Sequence, residues 1–365
     1  MKIYLLWALK IVMAEVILTA LQAPLKKRNL KTPARVALII GKFLLAVAFA
    51  ALVLAGPVVL RPVQPIMLAL YVALVADSLA DACCTVFYAV KKRERKFSVV
   101  KITSIVFCLI FAVYGTVNME IVTPAYREYS SPKIKREHKI VFIADIHTGS
   151  PQDFGVIEKT VEKIKEEKPE FVILGGDIVD DYTTKEDMQR VFSLYGGCGI
   201  PVFYIYGNHD RQAHAQYANG VQFTPEELEN TLYRNGIIIL KDEFYEISRD
   251  LILLGREDKS VDTRLDINSL DKPMSEKFLL VADHQPVAFE EHSDFGADMQ
   301  VSGHTHAGQL FPLRLLYALI GGKVYGEYKT SASTLIVSAG AGGWRVPLRT
   351  DVHCNFEVIT LKPSE

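Results

Sequence analysis

The hydrophobic positions of this chain fall into two textures. Up to about residue 123 they form four long apolar stretches, at 3–23, 36–60, 66–90 and 99–123. An α-helix needs about 20 apolar residues to cross roughly 30 Å of hydrocarbon, so the pattern predicts four membrane-spanning helices and an anchor over residues 1–124. The second stretch carries a single charge, Lys42; the first carries Lys10 and Glu15. No small-residue cleavage site follows the first stretch, which argues against a signal peptide. From residue 139 short apolar runs alternate with amphipathic or turn-rich segments, the pattern of a layered α/β domain. Strands are predicted at 139–145, 171–177, 201–210, 236–240, 251–255, 278–284, 299–306, 334–340 and 356–361, and helices at 156–168, 184–195, 225–235 and 264–271. Residues 125–138 read as a basic linker, and 139–365 as the α/β domain.

Charge sharpens this division. The chain of 365 residues has 41 Lys and Arg against 42 Asp and Glu, a net charge of −1. Residues 1–139 hold 20 basic and 7 acidic residues, and the remainder 21 and 35, so a part at +13 is joined to one at −14. Such asymmetry indicates two environments for one chain. Lys26, Lys27, Arg28, Lys31 and Arg35 follow the first stretch, and Lys91, Lys92, Arg93, Arg95 and Lys96 the third, whereas the loop between stretches two and three has only Arg61. Short basic loops stay cytoplasmic, which predicts a multi-pass protein of the cell membrane with its α/β domain outside. Arg127, Lys133, Lys135, Arg136 and Lys139, after the fourth stretch, oppose that bias. Of the five cysteines, only Cys198 and Cys354 lie in the polar part, so at most one disulfide is available and a disulfide framework is excluded.

Asp77 and Asp81, four residues apart in the third stretch, share one helix face where an unpaired carboxylate is costly. Pairing with Lys10 or Lys42, or protonation, is expected; an ion or proton site is the sharper alternative. Three or four helices without a repeat suit an anchor better than a transporter.

Candidate chemistry lies at the ends of predicted strands. Asp145 and His147 end the first, Asp177 the second, Asn208 and His209 the third, His284 a later strand, and His304 and His306 another. Ligands of open α/β sheets gather at strand carboxyl ends. Carboxylates, an Asn carbonyl and imidazoles form a mixed nitrogen and oxygen set suited to two divalent transition ions, and Asp177 is the natural bridge between them. His138, His214, His292 and His353 have no such context. A P-loop sequence and Cys-x-x-Cys pairs are absent, and no nucleic-acid partner is specifically indicated.

Taken in order, Asp145-Ile-His147, Gly176-Asp177, Gly207-Asn208-His209-Asp210, His284 and Gly303-His304-Thr305-His306 resemble the calcineurin-like metallophosphoesterase superfamily across about residues 139–362. The resemblance implies a four-layer α/β/β/α sandwich preceded by the all-α membrane bundle. It implies one divalent metal ion on Asp145, His147, Asp177 and His306 and a second on Asp177, Asn208, His284 and His304, with manganese, iron and zinc as candidates. His209 takes the place of the catalytic histidine, contacting phosphate and protonating the leaving oxygen, and Asp210 that of the partner holding its imidazole. The stretch from Gly303 to Gln309, and Pro347-Leu-Arg349, further resemble a bacterial membrane-associated branch that includes phosphodiesterases and hydrolases of UDP-2,3-diacylglucosamine. Ala307 stands where that branch has Gly, and Asn355-Phe-Glu357 where it has Pro-Glu.

The expected function is therefore a membrane-anchored, dinuclear metal phosphoesterase that hydrolyses a phosphodiester or phosphomonoester, with a lipid-linked substrate, through a metal-activated hydroxide. The apolar segment 311–322 is a candidate lip for acyl chains; alternatively, Leu313, Leu316 and Leu319 pack onto the sheet. A non-catalytic sensor or scaffold for a phosphorylated ligand is the competing class, and it is disfavoured because no ligand position is missing.

Overall fold

The computed structural model describes residues 2–22, 32–55, 63–94, 96–149, 152–218, 220–272 and 276–364. Lys26, Lys27, Arg28, Lys31, Arg61 and Arg95, part of the topology argument, lie outside them. The chain divides into two units, Met1–Val117 and Asn118–Glu365.

The first unit is helical: α1 (Lys2–Gln22), α2 (Thr32–Ala55), α3 (Gln64–Val90) and most of α4 (Phe97–Glu120). Three of the described helices are long and apolar enough to cross a membrane, namely α2, α3 and α4. Although 21 residues long, α1 carries Lys10 and Glu15 and is not among them. α3 packs against both α1 and α2. Small side chains on α2 (Ala46, Ala50) and α3 (Ala73, Ala76, Ala80) are fully buried, as expected where helices approach closely without a hydrophobic driving force between them. Leu44, Ile102, Val106, Ile110 and Val113 stay exposed, an outer surface suited to lipid. The two buried aspartates are paired. Lys42 Nζ lies 2.9 Å from Asp77 Oδ2 and 2.5 Å from Asp81 Oδ2, and Lys101 Nζ lies 2.5 Å from Asp77 Oδ1.

The second unit holds two six-stranded sheets. In the first the order is β1 (Val122–Ser131), β12 (Cys354–Pro363), β2 (His138–Ile143), β3 (Phe171–Leu174), β4 (Val202–Tyr204) and β5 (Ile238–Ile239). In the second it is β10 (Gly326–Lys329), β11 (Thr334–Val337), β9 (Met299–Ser302), β8 (Phe278–Ala282), β7 (Leu251–Gly255) and β6 (Glu243–Glu246). The period-2 alternation of strand side chains sorts the apolar residues into layers. Ile140 and Phe142 of β2 join Phe171, Phe203, Leu253, Leu280 and Val301 between the sheets. Their neighbours Val141 and Ile143 face α5 (Phe154–Glu167), α6 (Lys185–Gly196) and α7 (Pro225–Arg234), which contribute Val161, Phe192 and Leu228. On the far side α8 (Phe289–Phe295) covers the second sheet through Phe289 and Phe295. This is an α/β/β/α sandwich.

The expected basic linker is not a spacer. Residues 122–131 are β1, paired in parallel with β12 over ten positions from Val122↔Cys354 to Ser131↔Pro363. Burial alternates along it, with Tyr126 and Glu128 exposed and Arg127 and Tyr129 half-buried, as suits an edge strand with one wet face, and Arg127 pairs with the buried Glu357 at 3.0 Å. The helix predicted at 264–271 reduces to a single 3₁₀ turn, Ile267–Ser269. Cys198 and Cys354 are both free thiols.

Candidate dinuclear metal centre

β2, β3 and β4 run parallel, as do β7, β8, β9 and β11, so their carboxyl ends collect on one edge of the sandwich. The turns there are tight. Asp145, His147, Asp177, His304 and His306 all have φ between 49° and 72°, a left-handed conformation that costs a non-glycine residue about 1–2 kcal/mol. Backbone bonds hold it in place: Asp145 N–H donates to Gly176 O and His147 N–H to Asp177 O, both at 3.0 Å. Glycine is required at two neighbouring positions. A Cβ on Gly207 would lie 2.3 Å from Asp177 Oδ1, and one on Gly303 2.3 Å from Asp145 Oδ2.

Two groups of potential ligands result. Asp145, His147 and His306 form one, and Asp177, His284 and His304 the other, each with donor atoms within 4.8 Å of one another. Asp177 Oδ2 lies between them, 3.3 Å from His284 Nε2 and 3.8 Å from His147 Nε2. The donor set fits two cations on its own geometry. His147 Nε2 and His306 Nε2 face each other at 3.2 Å, and buried Asn208 Oδ1 has no hydrogen bond. Burial, reinforced by neighbouring His284, pushes His304 down to about 4; burial and His147 hold His306 well below its usual range. Both rings are then neutral, the form that ligates metal.

His209 lies beside these groups, its ring 5.8 Å from that of His147 and 4.1 Å from that of Trp344. The expectation for its partner is corrected here. Asp210 does not touch the imidazole; its carboxylate accepts from the backbone N–H groups of Asp177, Gly207, Ile178 and Val179 at 2.6–3.1 Å. It thereby fixes the turn that carries Asp177. The imidazole is held instead by Asp181, whose Oδ2 is 3.1 Å from Nδ1 and whose Oδ1 accepts from His214 N–H. Burial opposes the charge of Asp181, but these bonds hold its carboxyl below the usual range. Asp180 Oδ2 lies 3.3 Å from His147 Nδ1, within ion-pair distance.

A second layer of support comes from residues 339–351, after β11. Arg349, fully buried, donates to the carbonyls of His306, Ala339 and Gly342 at 3.2, 2.9 and 2.8 Å. Asn118, in the last turn of α4, donates to the carbonyls of Arg349 and Asp351. Gln309 Nε2 lies 3.1–3.2 Å from the carbonyls of Trp344, Val346 and Leu348, setting Trp344 beside His209. Of the histidines without a strand-end context, His138 pairs with Glu170 and Asp250, His292 with Gln300, and His353 with Asn118. His214 approaches His209, with ring centres 6.2 Å apart.

The family model for calcineurin-like phosphoesterases matches residues 138–308. A metallophosphoesterase of Bacillus subtilis named YkuE is 30% identical over 238 residues, which cover 62% of this chain and 79% of that relative. The chain belongs to the calcineurin-like metallophosphoesterase family. Another relative, an uncharacterized metallophosphoesterase of Helicobacter pylori strain J99, is 33% identical over 257 residues, covering 66% of this chain and 63% of its own length. The match thus spans slightly less than two thirds of that relative. A protein of Escherichia coli named phosphodiesterase YaeI is 30% identical over 179 residues, or 47% of this metallophosphoesterase and 62% of that one.

Among the residues that support the site, Asp180, Asp181 and Trp344 had no strand-end motif to mark them. The only available signal was the pair of carboxylates immediately after the Gly176-Asp177 turn. Arg349 falls in the Pro347-Leu-Arg349 stretch of the sequence resemblance, which assigns it no role.

Proposed function

We propose that this metallophosphoesterase is a membrane-anchored hydrolase of phosphodiesters or phosphomonoesters, acting on a lipid-linked substrate. The observation that carries the reading is the pair of carboxylate–histidine groups, with Asp177 Oδ2 of one 3.3 Å from its own His284 and 3.8 Å from His147 of the other, and His209 beside them, oriented by Asp181. Asp145, His147, Asp177 and His306 would hold one divalent cation, and Asp177, Asn208, His284 and His304 the other. Bound there, the pair would polarise phosphoryl oxygens and acidify the attacking water. The chain's own part is positioning and proton transfer. Asp181 fixes Nδ1 of His209, which leaves Nε2 to contact the phosphate and protonate the departing oxygen. Asp210 and the backbone bonds of the left-handed turns keep the ligands preorganised. Three membrane-length helices support attachment to a bilayer, and the basic loops favour an extracytoplasmic catalytic unit. Protease treatment of intact cells tests that side: the catalytic unit is cleaved from outside, and protection until lysis would reverse the orientation.

In detergent, protein stripped by chelation is expected to be inactive, and added Mn²⁺ to restore hydrolysis of bis-p-nitrophenyl phosphate or p-nitrophenyl phosphate. Two bound metals with no turnover of any phosphoester, lipid esters included, would return the protein to the sensor class. Asp181→Asn should lower kcat about 10–100-fold, the usual cost of losing a group that orients a catalytic or ligating histidine. Metal content is expected to stay at the wild-type value, and unchanged kcat would remove Asp181 from this role.

A further inference from the structure

The segment that follows the His304/His306 turn is split between core and surface. In α9 (Leu313–Leu319) Leu313 is 3% exposed, but Leu315, Leu316 and Tyr317 are well exposed, and Leu319 and the following Ile320 are each 81% exposed. The run Leu315-Leu316-Tyr317-Ala318-Leu319-Ile320 contains no charge. Its charged neighbours are drawn aside, Arg314 to Asp351 at 2.9 Å and Lys323 to Glu290 at 2.9 Å. Of the three leucines at helical spacing, Leu313 alone is buried against protein. An uncharged apolar patch of this kind marks an interaction surface.

Its place in the fold says what covers it. Asp351, which receives Arg314 of α9, also accepts a hydrogen bond at its carbonyl from Asn118, 2.9 Å away. Asn118 lies in the last turn of α4, a helix of membrane-crossing length and composition. One residue therefore bridges the exposed helix and the point where the chain leaves a membrane-length helix. The end of such a helix lies at the level of the lipid headgroups, and a short helix with an uncharged apolar face at that level is built to lie in the interface.

We infer that α9 and Ile320 are seated in the bilayer surface, with a lipid membrane as the partner of this face. Thr305 and His306 are only a few residues upstream, so the seated helix brings the metal-binding edge to the headgroup layer. A phosphoester still embedded by its acyl chains then reaches the site without leaving the membrane. This consequence for substrate choice rests on the proposed hydrolase activity; the docking itself does not.

The test uses the full chain in nanodiscs of phosphatidylcholine and phosphatidylglycerol, in a Cys83→Ser background that removes the exposed native thiol. Leu319→Cys and Ile320→Cys are labelled with a fluorophore. Tyr233→Cys on α7, where the native side chain is 82% exposed, is the aqueous control. Lipids brominated in their acyl chains are expected to quench the labels at 319 and 320 several-fold more than at 233, and iodide in water to show the reverse order. Labels at 319 and 320 that behave like the one at 233 overturn the proposal. So does shielding from both quenchers together with disulfide dimers of the unlabelled Leu319→Cys protein, which would assign the face to a second copy of the chain. In a second arm, Leu316→Ser with Leu319→Ser is expected to lower turnover of hexadecyl p-nitrophenyl phosphate in the nanodisc at least tenfold relative to methyl p-nitrophenyl phosphate in solution. Equal loss on both esters overturns the substrate consequence. Failure of wild type to cleave either ester counts against the hydrolase reading alone, because the quenching still decides the docking.

Discussion

Asp177→Asn is expected to lower phosphoester turnover by about 10³-fold or more and to reduce bound metal from two ions per chain to at most one. The asparagine keeps the shape of the side chain and loses its charge, which isolates the bridging function. Asp177 is 2% exposed, and its Oδ2 faces His284 and His147 while Oδ1 accepts the His209 backbone N–H at 2.8 Å. Burial disfavours its charge, but the facing His284, His209 and His147 hold the carboxyl well below its ordinary range, so it is anionic at neutral pH. A neutral amide cannot balance two divalent ions, and removing one electrostatic partner from a preorganised site typically costs 10²–10³ in rate by itself. Metal content measured by mass spectrometry, together with kcat, checks the expectation. Two retained ions with turnover within tenfold of wild type would mean that Asp177 is not the bridge.

The second large effect is expected at Arg349. Arg349→Met keeps much of the volume and removes the donors that hold the carbonyls of His306, Ala339 and Gly342. Each buried acceptor left without a donor costs about 1–3 kcal/mol, so a loss of about 3–5 kcal/mol is expected after partial relaxation. In a unit of this size that lowers Tm by about 10 °C. Because His306 is one of the carbonyls held, metal affinity should fall with stability. Arg349→Lys, which keeps the charge but lacks the planar fork, should recover part of the stability and little of the affinity. Thermal melts with and without added Mn²⁺ read both quantities. A variant that melts like wild type and retains its metal would show that loop 339–351 is held by other contacts.

The strands that carry the candidate ligands were legible because each is a short apolar run that ends in Gly or a polar residue, and the ligand types recur at those ends. Side-chain direction within the turns was not legible. Asp210 follows His209 directly, which invites a contact, but neighbouring residues of an extended turn diverge, and the carboxylate serves backbone N–H groups instead. Asp181 reaches the imidazole from 28 positions upstream, a meeting that follows from the parallel pairing of β3 with β4 and from no local pattern. β1 was hidden by charges on both of its faces: Glu128 is exposed, whereas Arg127 turns inward to the buried Glu357. In α9 the helical spacing of Leu313, Leu316 and Leu319 is real, but spacing shows that a face exists, not whether protein or lipid covers it.

The pairing of β1 with β12 bears on how the protein is made. β1 is the first strand of its sheet to be synthesised and β12 the last, with nearly the whole catalytic unit between them. Pairing so distant in sequence is slow to form, so the sheet cannot close its edge until β12 has been made. Until then residues 122–131 wait as an unpaired ribbon continuous with α4. A fragment begun at residue 139 to obtain a soluble enzyme would leave β12 as a bare edge, ready to pair with other molecules. Beginning at residue 118 instead keeps both the strand that covers β12 and the Asn118 contacts.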